Sequence, residues 1–405
     1  MKKAAPDVDL RSRGFSYEHL AFTGLLLAGA VYLYNRESPS GKDQAAVDPA
    51  AKPEDEILNP PWSLLWMFVK GVYGLFLGLL GLAVVLLLLL VWRQRTIIYV
   101  PTPPGTWRKP RENHYMYQSP ANWNLPYEDV YITTEDGVKI NAWLIYQKAP
   151  VKPPYTFVYF HGNAGNIGHR LENLRDMYSK LQANILILDY RAYGESEDGD
   201  GPSERGFMLD AMAAYRWLVD RIRNPPVHEP VSMTAERIML FGRSIGGVVA
   251  TRLNALVLQE HLGGSDLPLP AGIVLENTFT SLREMAIQIF PFLYVLKPIL
   301  RYPLIFDEWN SIAAVEYACQ RHNSWCCCLM SGLQDQLVPP EQMRELHAYL
   351  KRRPPMVLKK FDFRDGGHND TPNKCHEPYW ASFQKFMGLV EANEDERKKS
   401  LDQLG

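Results

Sequence analysis

Cysteine is scarce in this chain: five residues in 405, three of them adjacent at Cys326, Cys327 and Cys328. Adjacent cysteines cannot supply the spaced, even-numbered framework that staples small secreted domains, so disulfides are not expected to hold the fold. Metal-ligand spacing is missing too. Cys319, His322 and Cys326 read C-x2-H-x3-C, a poor match to zinc sites, and the cysteine run reads more simply as core filling; neither metal nor organic cofactor is expected. A basic excess is also lacking, with 43 Lys and Arg against 45 Asp and Glu. Proteins that track phosphate backbones carry the opposite balance, which excludes nucleic acid as a partner. There is no internal repeat.

What the chain does have is apolar substance. Hydrophobic residues make up 46% and charged ones 22%, a balance that supports a buried core. The longest uncharged run, Gly71 to Trp92, would cover about 33 Å as a helix, enough to cross a hydrocarbon core. It offers no polar face to a globular surface and is read as a transmembrane helix. Gly74 and Gly78 within it form a G-x-x-x-G pair. A shorter apolar run, 20–34, lies between the length of a signal-peptide core and that of a span, leaving one span or two open. The intended division is an N-terminal segment with a polar linker over 1–62, the span over 63–95, a catalytic domain over 96–390 and a charged, solvated tail over 391–405. Basic residues near the span number two before it (Lys52, Lys70) and five after it (Arg93, Arg95, Arg108, Lys109, Arg111), which favours a cytosolic catalytic domain in an integral membrane protein.

Beyond residue 112 short β-rich runs alternate with helical ones. Runs at 130–134, 138–146, 156–160, 184–189, 237–241, 272–275, 325–330 and 356–361 predict an α/β fold: an eight-stranded, mostly parallel sheet with helices on both faces and an antiparallel first pair.

The strongest chemical signal is Gly242-Arg243-Ser244-Ile245-Gly246, a G-x-S-x-G between an apolar strand and a helix-like run. The glycines permit a turn too tight for side chains, and the turn lifts Ser244 in front of a helix N-terminus with unpaired N–H groups. A serine hydroxyl needs a base, and the base needs a carboxylate to orient it. The loops after the last two strands offer Asp335 and His368 in that order. His347 and His376 fall in helical stretches. Asp307 precedes the late strands, while Asp365 and Asp370 are too close in sequence to His368 to reach its far nitrogen easily. For the oxyanion hole the residues are Ile245, through its backbone N–H, and Asn163, with Ala164 as the alternative, in the small-residue loop His161-Gly162-Asn163-Ala164-Gly165-Asn166. The Asn163 N–H would act, leaving its amide side chain little to do. His161 is read as a structural loop histidine.

The stretches YFHGNAGNIGHR, LDYRAYGESE, LFGRSIGGVVATR, LENTF, SGLQDQLVPP and DGGHNDT, set behind a membrane span, resemble the membrane-anchored α/β-hydrolase domain proteins over roughly residues 90 to 390. The resemblance implies an α/β-hydrolase fold, a serine hydrolase, and the triad Ser244, Asp335 and His368, matching the positions reached above. It also implies relatives among thioesterases and lipid hydrolases. An apolar insert over 281–307, with prolines at 291, 298 and 303, is read as a lid or membrane-facing wall for a long acyl chain. The expected substrate is an acyl lipid or acylated protein, cleaved as an ester or thioester. A serine peptidase and a catalytically silent membrane scaffold are the competing readings.

Overall fold

In the computed structural model the described residues are 61–148, 154–226, 232–289, 291, 294, 297 and 305–402. The apolar run 20–34, its linker and most of 290–304 lie outside them. Described residues before Arg93 belong to one unit and those from Arg93 onward to another. The uncharged run extends at both ends into helix α1 (Pro61–Ile98), whose residues from Arg93 onward belong to the second unit. Its apolar side chains are exposed almost throughout, and the helix is long and apolar enough to cross a membrane.

The second unit is built on one sheet of eight strands: β1 (Tyr127–Thr133), β2 (Lys139–Ile145), β3 (Thr156–Phe160), β4 (Asn184–Leu188), β5 (Ile238–Arg243), β6 (Gly272–Glu276), β7 (Cys326–Gly332) and β8 (Val357–Phe363). Their spatial order is β1-β2-β4-β3-β5-β6-β7-β8. Strand β2 runs antiparallel to both β1 and β4, and the remaining neighbours are parallel. Strands β3, β4, β5, β6 and β7 are buried along their whole length, as expected where helices cover both faces. The edge strands β1 and β8 keep partly exposed residues.

Two hydrophobic layers follow from the strand alternation. On one face Phe157, Tyr159, Met239, Phe241, Cys326 and Cys328 pack with α2 (Leu171–Lys180) and, further along the chain, the aromatic-rich helix His376–Ala392. On the other, Val158, Leu240, Leu275, Cys327 and Leu329 meet α3 (Glu204–Arg223), α4 (Ile245–Leu262), α6 (Ser311–Arg321) and α7 (Pro340–Leu350). The three adjacent cysteines thus fill both layers as free thiols. Burial pushes the Cys326 thiol up to about 11, so it is not a reactive thiolate at neutral pH. Helix α5 (Leu282–Ile289) opens the apolar insert. A short helix, α8 (Thr371–Lys374), and the longer α9 (His376–Ala392) lead into α10 (Glu394–Leu401).

The charged tail forms a helix end in which Glu391, Asp395, Glu396, Lys398 and Lys399 are exposed, while two of its residues dock on the sheet. In α10, Glu394 pairs with Arg237 at 2.6 Å, and Arg397 is only 1% exposed, its guanidinium donating to the Glu236 carbonyl. Residues just before β5 take up these two charges, while the rest of the run stays exposed.

Candidate active site

The turn between β5 and α4 is confined by backbone on every side. A Cβ on Gly242 would sit 2.1 Å from the Gly246 carbonyl oxygen, and one on Gly246 would sit 2.1 Å from that of Phe160. Between them Ser244 takes φ 56° and ψ −123°, the left-handed strain that raises a nucleophile out of a sheet. Its backbone is tied on both sides: its N–H donates to the Glu276 carbonyl at 2.9 Å, and its carbonyl accepts from the Thr278 hydroxyl at 2.7 Å. The side-chain hydroxyl makes no hydrogen bond among the described residues.

Strand β7 ends in the loop bearing Asp335, and β8 in the loop bearing His368. The His368 ring nitrogen Nδ1 lies 2.7 Å from Asp335 Oδ2. The other carboxylate oxygen accepts backbone N–H bonds from Leu337 at 2.9 Å and Val338 at 2.8 Å. Those two donors fix the plane of the carboxylate. With Nδ1 directed at Asp335, Nε2 is the nitrogen left to exchange a proton. Two of the three rival acids are engaged elsewhere, and the third, Asp365, is exposed. Asp307 is buried and accepts from Arg95 and Tyr99, and Asp370 holds the Gly367 N–H and Lys374. His347 sits in α7 and His376 opens α9, where it faces Asp176 at 3.2 Å.

The residue that joins these loops was not singled out in the sequence. Asn277, at φ 46° just past β6, is 2% exposed. Its amide nitrogen donates to the Gly367 and His368 carbonyls, each at 3.1 Å, and its oxygen accepts the Gly332 N–H at 2.7 Å. Glu276, immediately before it, receives the Ser244 N–H. Two consecutive residues therefore bind the nucleophile turn and the histidine loop to one strand end. Glu276 also pairs its buried carboxylate with Arg243 at 2.6 Å and accepts from the Tyr379 hydroxyl at 2.7 Å. The stretch LENTF carried this signal only as part of a resemblance, because nothing in its local pattern names partners some ninety residues away.

The loop after β3 lies beside the nucleophile: a Cβ on Gly162 would sit 3.6 Å from that of Ser244. Ile245 begins α4, where backbone N–H groups lack helical partners. His161 is fully buried, with Nδ1 2.6 Å from the Gly162 carbonyl, and burial drops it to about 3. It is neutral at pH 7. Asn163 differs from the expectation. Its amide is not idle: the nitrogen donates to the Ile98 carbonyl and the oxygen accepts from the Tyr193 hydroxyl at 3.0 Å. The reading from sequence treated the loop alone, whereas in the fold the amide bridges two distant segments.

No protein-family model matches the chain. It is 34% identical over 331 residues to the α/β hydrolase domain-containing protein WAV2 of Arabidopsis thaliana, covering 79% of this chain and 95% of that protein. Protein bem46 of Schizosaccharomyces pombe is 34% identical over 73% of this chain and 87% of its own length. The lysophosphatidylserine lipase ABHD12 of Danio rerio matches at 28% over 53% of this chain and 56% of its own length. Among solved structures, an esterase of Pyrococcus furiosus superposes with TM-score 0.51 at 20% identity, covering 73% of this chain and 97% of that one. An α/β hydrolase of Vibrio vulnificus gives TM-score 0.52 at 18% identity over 68% and 87%. The fold is the α/β-hydrolase fold.

Proposed function

We propose, for a chain that belongs to the α/β-hydrolase domain-containing proteins, that it is a membrane-anchored serine hydrolase cleaving acyl esters or thioesters through an acyl-serine intermediate. Within the family its motifs resemble α/β-hydrolase domain-containing protein thirteen. The observation that carries the reading is the 2.7 Å contact of His368 with Asp335, set on a strand end that also holds the strained Ser244 turn.

In this mechanism His368 Nε2 takes the Ser244 proton as the oxygen attacks the acyl carbonyl, and Asp335 stabilises the imidazolium. The backbone N–H groups of Ile245 and Asn163, or of Ala164 in place of the latter, receive the oxyanion. His368 then returns the proton to the leaving alcohol or thiol. Water attacks the acyl-serine with His368 again as base, and the acid departs.

Four observations support an apolar acyl group. Leu337, whose N–H orients Asp335, leaves its side chain 58% exposed. The insert 281–307 is dense in aliphatic and aromatic residues, and α1 would hold the catalytic unit beside lipid at high effective concentration. ABHD12, a more distant relative, is a lysophosphatidylserine lipase. The test is turnover by the detergent-extracted full chain on p-nitrophenyl esters and acyl-thioesters of graded length. Ser244→Ala and His368→Ala should each abolish it, and long chains should outpace acetyl. Faster cleavage of peptide amides would favour a peptidase, and no serine-dependent turnover on any of them would favour a scaffold.

A further inference from the structure

The chain that leaves α1 does not pass straight into the sheet. Arg95 donates from Nε to Asp307 at 3.2 Å, and the Tyr99 hydroxyl donates to the same carboxylate at 3.0 Å while accepting from the Trp309 ring N–H at 3.0 Å. Asp307 is 1% exposed and Trp309 fully buried, so this end of the helix is locked into the hydrolase unit. The next contacts fall on the loop proposed to hold the oxyanion. Ile98 offers its carbonyl to the Asn163 amide, and Val100 pairs with Ala164 in a parallel β-bridge. The Tyr193 hydroxyl donates to the other end of the Asn163 amide at 3.0 Å.

A second set of contacts repeats the pattern further along. Asn166, fully buried at the far end of the loop, donates to the carbonyls of Trp107 at 3.1 Å and Arg108 at 3.0 Å, and its oxygen accepts from the Asn113 amide at 2.9 Å. Both ends of the loop are thus fastened to one stretch of chain, Arg95 to Asn113, by side chains whose polar atoms would otherwise be left unpaired. A buried amide with both ends satisfied has a single orientation, and changing either partner costs the full price of an unmet hydrogen bond.

We propose that residues 95–113 form a strap that positions the oxyanion loop, making the exit of the apolar helix part of the catalytic apparatus. The helix then does more than tether: it delivers a segment without which the N–H groups of Asn163 and Ala164 are not held toward the acyl carbonyl. Tyr193 and Asn163 act in the strap as positioning residues through their side chains. The inference rests on the acyl-transfer reading for its catalytic consequence but on hydrogen bonding alone for the fastening.

The experiment uses the full chain in detergent micelles or nanodiscs, with Tyr193→Phe as the first variant, because it deletes one hydroxyl from a buried ring without changing the packing. Asn163→Ala is the second, breaking both ends of the bridge. The expected result is a fall of about tenfold in kcat per fluorophosphonate-titrated site, with KM within twofold, since a displaced oxyanion donor weakens the transition state and spares ground-state binding. A boronic acid inhibitor should lose affinity by the same factor. Amide hydrogen exchange in the peptide 160–170 should quicken in both variants. Unchanged kcat alongside a lowered melting temperature would make the strap a stability element only and overturn the proposal, as would unchanged exchange. Wild-type protein no more active than Ser244→Ala would instead overturn the acyl-transfer reading, and the exchange measurement would still decide the fastening.

Discussion

The carboxylate of Asp335 has one oxygen on His368 and the other on two backbone N–H groups, which leaves the imidazole one tautomer. Asp335→Asn keeps the shape but permits the wrong tautomer, so kcat should fall by about 10⁴-fold with little loss of fold; rates normalised to folded protein check this. The buried loop histidine gives a pH signature. The value of His161 in the fold, about 3, lies below its free value of 6.5, so the unfolded chain takes up a proton that the folded chain refuses. Stability from this residue is therefore complete above about pH 6.5 and lost as pH falls toward 3, by up to about 1.4 kcal/mol per pH unit. Comparing thermal midpoints at about pH 7.5 and pH 5, His161→Asn should show the shallower decline; an equal decline would contradict the assignment. Other buried groups titrate in the same range, so only the difference between variant and wild type is diagnostic.

At the scale of elements, the turn after β5 was legible from sequence because its constraint is local: two glycines, a strand and a helix decide it sterically. Gly246→Ala places a methyl group 2.1 Å from the Phe160 carbonyl oxygen, and we expect destabilisation of at least about 3 kcal/mol, seen as lost soluble yield or a collapsed melting transition. The loops bearing Asp335 and His368 were legible for a similar reason, lying where parallel strands end. Strand ends were less so. Strand β7 runs to Gly332 and β8 to Phe363, past the apolar runs that announced them, since backbone pairing continues after side-chain hydrophobicity stops. Asn277 and the Asn163 amide could not be found this way. Their roles consist of bonds to chain far away in sequence, which no local period records, and the same holds for the buried Arg397 in α10.

For the whole molecule, the proposed function assigns membrane anchoring to the unit before Arg93 and chemistry to the unit from Arg93 onward. The apolar surface of α1 is exposed, and the helix is long and apolar enough to cross a membrane, which is what the proposed anchoring requires. Lysines replacing Leu86 and Leu88 would each oppose insertion by about 2.5–3.5 kcal/mol, and the double variant should leave the membrane pellet for the alkaline wash in fractionation. Protease protection of residues 93–402 in sealed vesicles would establish which side carries the catalytic unit; the balance of basic residues predicts the cytosolic side. The account as a whole turns on Ser244 being an activated nucleophile. The direct measurement is mass spectrometry of the membrane-expressed full chain after brief exposure to a fluorophosphonate. The account predicts one adduct, on the peptide containing Ser244, absent from Ser244→Ala and strongly slowed in His368→Ala. Folded wild-type protein that remains unmodified at Ser244 would contradict it.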